Sequence, residues 1–291
     1  MTRSTKRKLA ATGRFTGLGI WFLIVAFPMY WIVATSFKPD HEWFAWPPVY
    51  WSKTPTLDNY RTVWTDYTAA VSTQEAESMQ KPWEALQNSL IISLTATTLA
   101  VGFGSLLAYG ASRYQVLSEK RLFNLLVLRM IPPIVIAAPL TLYYSTLQLL
   151  DTVTGLVIVY VLSTLPYAVW MTKSFIDEVP REMEQAAALL GASRWRTIWE
   201  VVFPLVRSGI LATFLFILIL TWSEYLMALI LSKTDVVTLP VQLSKYEGTT
   251  EGRVYGRQAA LAVGVTLPLI LIGCSIRKHL VRGFSFGMIK R

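Results

Sequence analysis

Two ionisable residues stand inside long apolar runs of this 291-residue sequence, Arg129 and Glu224. A charge at that depth is costly in a bilayer, so it faces a bundle interior, a watery path or the headgroups. Arg129 is roughly seven residues into its run, or about 10 Å at 1.5 Å per residue. Both snorkelling and a pathway position are open to it. Glu224 belongs to the string Trp222-Ser223-Glu224-Tyr225 and is expected to face the interior. The rings of Trp222 and Tyr225 suit either stacking on a sugar face or filling a core. A third group, Lys245, Tyr246, Glu247, Thr249 and Thr250, lies in a polar stretch with Gly248. It offers many hydrogen-bonding groups on a backbone free to turn tightly.

Other chemistry is missing from the sequence. There is no Gly-x-x-x-x-Gly-Lys-Ser/Thr string to cradle nucleotide phosphates. His41 and His279 lie in separate polar segments, so they make no metal set, and no Ser-His-Asp arrangement is visible. The single cysteine, Cys274, is inside an apolar run, which rules out a disulfide within the chain. The chain is expected to be no enzyme and to carry no cofactor or metal of its own.

One polar segment has a pattern of its own, from Val179 to Pro204. It reads as a helix, a break and a second helix. Pro180 suits a first helical position, and Glu182 and Glu184 complement the helix dipole. Gly191 provides a left-handed end, and Ser193 caps the next helix. Between them, Ala186, Ala187 and Ala188 form a slim surface that fits a groove on another protein; an ordinary amphipathic connector has the same composition.

The elements that position these groups are expected to be membrane helices. The chain is 53% hydrophobic and 15% charged, well below the roughly 25% charge of soluble domains. Its apolar residues come in blocks long enough to cross a bilayer, which takes about 20 residues. Six spans are expected, at 15–37, 86–111, 122–149, 153–176, 206–231 and 257–276. Pro132, Pro133 and Pro139 interrupt the third, and Pro166 the fourth. Ala100, Gly104 and Ala108 form a small-residue face for close helix packing. Eighteen of the 27 Lys and Arg fall in 1–14, 112–121, 173–207 and 277–291, against eight in 38–84 and 232–257. The positive-inside rule then places both termini in the cytoplasm. The basic start, Met1 to Lys8, is read as flanking a retained first span. The net charge of +9 is thus a membrane signature rather than a sign of nucleic-acid binding. The fold class is therefore an all-α integral membrane protein of six transmembrane helices: a cytoplasmic segment 1–14, a membrane domain 15–276 and a cytoplasmic tail 277–291.

The segment 179–204 resembles the coupling loop of ABC importer permeases, with its Glu-Ala-Ala, three residues, then Gly pattern. Leu57-Asp58-Asn59-Tyr60, Asn88-Ser89-Leu90, Trp222-Ser223-Glu224-Tyr225, Val281-Arg282-Gly283 and Gly287-Met288-Ile289-Lys290 are similar to the carbohydrate-uptake branch, relatives of the maltose permease's shorter subunit. The resemblance implies a second permease subunit, an ATPase homodimer holding ATP and Mg, and an extracytoplasmic solute-binding protein, all in a bacterial inner membrane. It implies that Glu184, Gln185, Ala186, Ala187, Gly191, Ala192 and Ser193 couple to the ATPase, and that the tail after Arg277 contacts it. It also implies that the Tyr246–Glu251 tip probes the binding protein. Two positions depart from the pattern: Gln185 replaces the glutamate before the two alanines, and Leu190 the acid before the glycine. The rival readings are an importer of a polyol, glycerol phosphate or sulfonated sugar, a stand-alone secondary transporter, and a membrane scaffold.

Overall fold

A computed structural model describes residues 3–65, 80–116, 118–128, 132–246 and 254–286, with side chains from Thr12 to Cys274. The described residues form helices and no strands. They fall into two units, one of 1–77 with 243–266, the other of 78–242 with 267–291.

The first unit holds α1 (Arg3–Ser36), α2 (Asp58–Trp64) and the start of the last helix. Residues 12–36 of α1 are apolar on nearly every side and mostly exposed. That pattern suits a helix surrounded by lipid. Beyond α1, Asn59 Nδ2 donates to the carbonyls of Ser36 (3.0 Å) and Lys38 (2.8 Å). Trp43 Nε1 also donates to the Lys38 carbonyl, at 3.1 Å. These bonds satisfy carbonyls left open by the helix end. The string Leu57-Asp58-Asn59-Tyr60 is thus a clasp: Asn59 is buried, and the Tyr60 hydroxyl bonds Ser36 Oγ at 2.8 Å.

The second unit is built on α3 (Pro82–Tyr114), α4 (Glu119–Leu128), α5 (Ile134–Thr146) and α6 (Val153–Asp177). It continues with α7 (Arg181–Leu189), α8 (Arg194–Leu205), α9 (Arg207–Trp222), α10 (Leu226–Leu231) and α11 (Leu239–Lys245), the last of which runs past Gln242 into the first unit. α12 (Tyr255–Phe286) begins in the first unit and ends in the second. The central pair is α3 and α6. Ala100 and Ala108 are fully buried, and a Cβ at Gly104 would come within 2.6 Å of Ala168 Cβ. The small-residue face therefore brings two backbones close, as its spacing predicts.

Four described helices are long and apolar enough to cross a bilayer unbroken: α1, α3, α6 and α12. The expected third span is instead two helices, α4 and α5, and α5 has 13 residues. Pro132 and Pro133 account for an interruption, since neither can donate to a helical ladder. The expected fifth span breaks after Trp222, and α8 meets α9 at a 77° bend. Before that bend, Ile198–Val202 is a π-turn, and Pro204 lacks the N–H that would continue the ladder.

Candidate functional site

The second unit carries a polar constellation at each end of α6. At its C-terminal end, Val179 and Pro180 lead into α7. Pro180 is the N-cap rather than the first helical residue expected of it, because its ψ of 135° is extended, and the helix begins at Arg181. Gly191 closes the helix at φ 84°. The Ala192 N–H reaches the Ala187 carbonyl and the Gly191 N–H the Ala188 carbonyl, each at 3.0 Å. This double closure is a Schellman motif, and the positive φ is why glycine stands there. Ser193 Oγ then accepts from the Arg196 N–H at 3.3 Å and caps α8, as expected.

The α7 side chains divide by direction. Glu184 turns back onto α3: Arg113 Nε donates to its Oε1 at 2.6 Å, and the Tyr109 hydroxyl to its Oε2 at 2.7 Å. Arg113 also donates to the carbonyls of Ile176 and Val179, tying α3 to the end of α6. An adjoining chain runs from Ser112 to Asp177, and from Lys173 to Asp177 and Glu119. Gln185, Ala186 and Ala188 point outward, and Leu189 and Leu190 are 89% and 90% exposed. Trp195 and Trp199 add exposed rings. The acid nearest the Gln185 departure is thus already committed inside the chain. The signal for this was available in Arg113 and Tyr109, one helical turn apart at the end of an apolar run, but its partner lies 71 residues away.

At the N-terminal end of α6, Asp151 accepts backbone N–H bonds from Lys233 (2.9 Å), Thr234 (3.0 Å), Asp235 (3.0 Å) and Val236 (3.1 Å). Burial favours the protonated acid, but the four N–H groups outweigh it and hold the carboxyl below its usual range. Gln80 completes the clamp: its Oε1 accepts from Val237 N–H (3.0 Å) and from Asn88 Nδ2 (3.0 Å), and its amide donates to the Asp235 carbonyl. Ser89 Oγ accepts from Leu239 N–H at 2.8 Å. Asn88-Ser89-Leu90 therefore anchors the 232–242 stretch. Sequence reading passed over both Gln80 and Asp151.

The remaining candidates do not gather into one pocket. Trp222 is buried in the chain, so its ring is core rather than a presented platform. Glu224 Oε1 accepts from Met227 N–H at 3.1 Å and starts α10 after the break. Tyr225 is partly exposed beside it. Tyr246 corrects the expected tip: it is buried, and burial pushes its phenol up to about 12, so any tip begins beyond it. Lys245 ends α11. Arg129, Glu247, Thr249 and Thr250 lie outside the described residues, as does the tail's Gly287–Lys290. Among the described residues no group of His, Cys, Asp and Glu has metal-binding geometry.

Residues 100–285 match the family described as binding-protein-dependent transport system inner membrane component. The chain is 29% identical over 290 residues, 99% of each chain, to the inner membrane ABC transporter permease protein YcjP of Escherichia coli K12. It is 29% identical over 271 residues, 92% of each, to the trehalose/maltose transport system permease protein MalG of Thermococcus litoralis. A bacterial ABC transporter that imports the acidic polysaccharide alginate has a chain of the same fold, with TM-score 0.75 at 18% identity over 96% of this chain and 98% of that one. With this match across most of its length and its long apolar helices, the chain belongs to the family of binding-protein-dependent transport system inner membrane components, multi-pass proteins of the inner membrane.

Proposed function

We propose that this chain is the permease subunit of an ATP-driven importer of a sugar or sugar-like solute. It pairs with a second permease subunit, and ATP is hydrolysed on separate subunits below. A solute-binding protein delivers from the other side. In this reading six spans, two of them broken, cross the membrane with both termini in the cytoplasm. The trehalose/maltose relative and the alginate neighbour support a saccharide, and a polyol, glycerol phosphate or sulfonated sugar is the alternative solute.

One observation carries the ATPase contact. α7 leaves Leu189 and Leu190 almost wholly exposed while Glu184 pins the helix inward to Arg113. Leu189 ends this nine-residue helix and Leu190 caps it; two adjacent leucines left about nine-tenths exposed are apolar exposure of the kind that marks a protein contact. Gln185, Ala186 and Ala187 lie beside them, so the contact is apolar and hydrogen-bonded where the family pattern has a salt bridge. Glu184 transmits: movement of α7 reaches α3 and α6 through Arg113. Trp222, Glu224 and Tyr225 shape the break in the fifth span, with Arg129 assigned to the pathway of the third. Lys245, Glu247, Thr249 and Thr250 face the binding protein.

The test is a Leu189→Asp, Leu190→Asp double variant in the full transporter. It should insert normally yet fail to co-purify with the ATPase, and uptake should vanish. Normal ATPase recovery would overturn the contact. Uptake driven by an ion gradient without ATPase would point to a stand-alone secondary transporter. A panel of sugars and polyols against the purified binding protein separates the solute classes.

A further inference from the structure

Within the first unit a cavity of about 370 Å³ lies along the seam of two helices. Trp31, Ile32, Thr35 and Lys38 line it from one face of α1 and the residues that follow it. Tyr255, Gln258, Ala259 and Ala262 line it from one face of α12. Two of its polar groups are unusual. Lys38 is 2% exposed, and its ammonium rests 3.9 Å from the centre of the Trp31 ring with no carboxylate at ion-pair distance among the described residues. Thr35 is 8% exposed, and its Oγ1 has no hydrogen-bond partner. A buried hydroxyl and a buried cation left this way each cost free energy unless something enters to meet them.

The surroundings identify what enters. Glu42 is the carboxylate whose field reaches Lys38, and it only partly offsets the burial that pulls the ammonium below its usual range. Burial costs the ammonium more than the field of Glu42 returns, so an oxyanion brought to contact distance would stabilise it. Just beyond the cavity, Trp31 meets Tyr50 edge to face at 5.9 Å and Phe37 packs on Trp51 at 6.3 Å. Aromatic rings of this kind collect at the headgroup level of a bilayer. Along the same face of α1, Phe27, whose ring lies 6.1 Å from that of Trp31, and Ile24 one turn earlier are exposed and apolar, a track for acyl chains. A soluble anion would use the cation but not the track.

We propose that this seam binds one phospholipid, with its phosphate on Lys38 and Thr35 and its glycerol and upper acyl carbons against Trp31, Ile32 and Ala262. Such a lipid would join the first and last helices at headgroup level. The inference needs the membrane fold alone and stands apart from the solute and the ATPase contact.

The test uses the full transporter in a neutral detergent, titrated with phosphatidylglycerol or with a galactosyl diacylglycerol of the same acyl chains, which lacks the phosphate. Bound lipid is counted by native mass spectrometry. The expected result is retention of one phosphatidylglycerol in preference to the galactolipid. Lys38→Met should weaken that retention by about tenfold, the scale of one lost charge-assisted bond, and Lys38→Arg should keep most of it. Thr35→Val, which leaves the charge and the shape in place, should weaken it about threefold, so the proposal remains open to refutation if Lys38→Met does not fold. Equal retention of both lipids, or retention unchanged in Thr35→Val, overturns the site. Displacement of the phosphatidylglycerol by millimolar inorganic phosphate would overturn the lipid source and assign the pocket to a soluble oxyanion.

Discussion

The two ends of α6 are both organised around a carboxylate, and they use it in opposite ways. At the N-terminal end Asp151 gathers four successive N–H groups, so a stretch of loop is gripped by its own backbone. At the C-terminal end Glu184 is spent on two side chains of α3, and the helix that carries it turns its leucines outward. A carboxylate that satisfies backbone donors holds a loop still whatever side chains that loop bears. A carboxylate paired with one arginine makes a joint, rigid only while both partners are present. The first arrangement suits a base from which a loop projects, the second a helix that must be pushed and must pass the push along.

The largest expected effect comes from breaking the joint. Glu184→Ala strands the mostly buried Arg113 and the Tyr109 hydroxyl. Losing one partner of a buried pair costs about 3–5 kcal/mol; here the loss should be nearer 2, because Arg113 keeps the carbonyls of Ile176 and Val179. Protease cleavage between residues 181 and 193 should accelerate and uptake should collapse. The swap Arg113→Glu with Glu184→Arg should recover part of both. If single and double variants behave alike, the pair is not the joint.

Next comes the grip. Asp151→Ala leaves four N–H groups without their acceptor and should lower unfolding stability by about 1–3 kcal/mol. Asp151→Asn, which keeps one acceptor oxygen, should fall between. The acid also has a pH signature. Its folded pKa is depressed, so its contribution is complete above the unfolded value of about 3.9 and fades as pH drops through the lower folded value. The wild type should therefore lose this increment in thermal melts below about pH 4, and Asp151→Asn should show no such step. A step of equal size in Asp151→Asn would locate the titration elsewhere.

Between the two ends, Gly104→Ala tests the seam that holds them in register. The added methyl meets Ala168 Cβ at 2.6 Å, so the helices must part. Overpacking of about 1–3 kcal/mol should outweigh the gain of up to about 1 kcal/mol from removing a helical glycine. A melting temperature at or above that of the wild type would show that the seam gives.

The smallest effect on folding is expected at Gln185→Glu. The residue is exposed, so stability should stay within about 0.5 kcal/mol. ATPase stimulation is the sensitive measurement. Unchanged stimulation would confine the docking contact to the alanines and leucines.

Legibility followed sequence distance. The Schellman end at Gly191 and the cap at Ser193 were readable because each is made by residues within five positions of one another. The packing face of Ala100, Gly104 and Ala108 was readable because small residues at helical spacing have few other uses in a membrane. Arg113 with Glu184 was not readable, nor Asp151 with 233–236: each pair is separated by tens of residues, and nothing in the local sequence of either acid names its partner. Tyr246 was assigned to a projecting tip because tyrosine among glycine and threonine reads as loop. Its burial is set by tertiary packing that no local pattern of residue types announces.

Composition and charge order by themselves determined that this chain lives in a membrane, because long apolar blocks and segregated lysine and arginine have no stable alternative in water. Local grammar determined where α7 starts and stops, because caps and left-handed glycines act over one turn. Only the tertiary structure decided which acid is engaged and which residue is left to meet a partner. Both Glu184 and Gln185 can accept hydrogen bonds, and adjacent positions on a helix differ by about 100° in direction. That angle places one of them against Arg113 and leaves the other facing out.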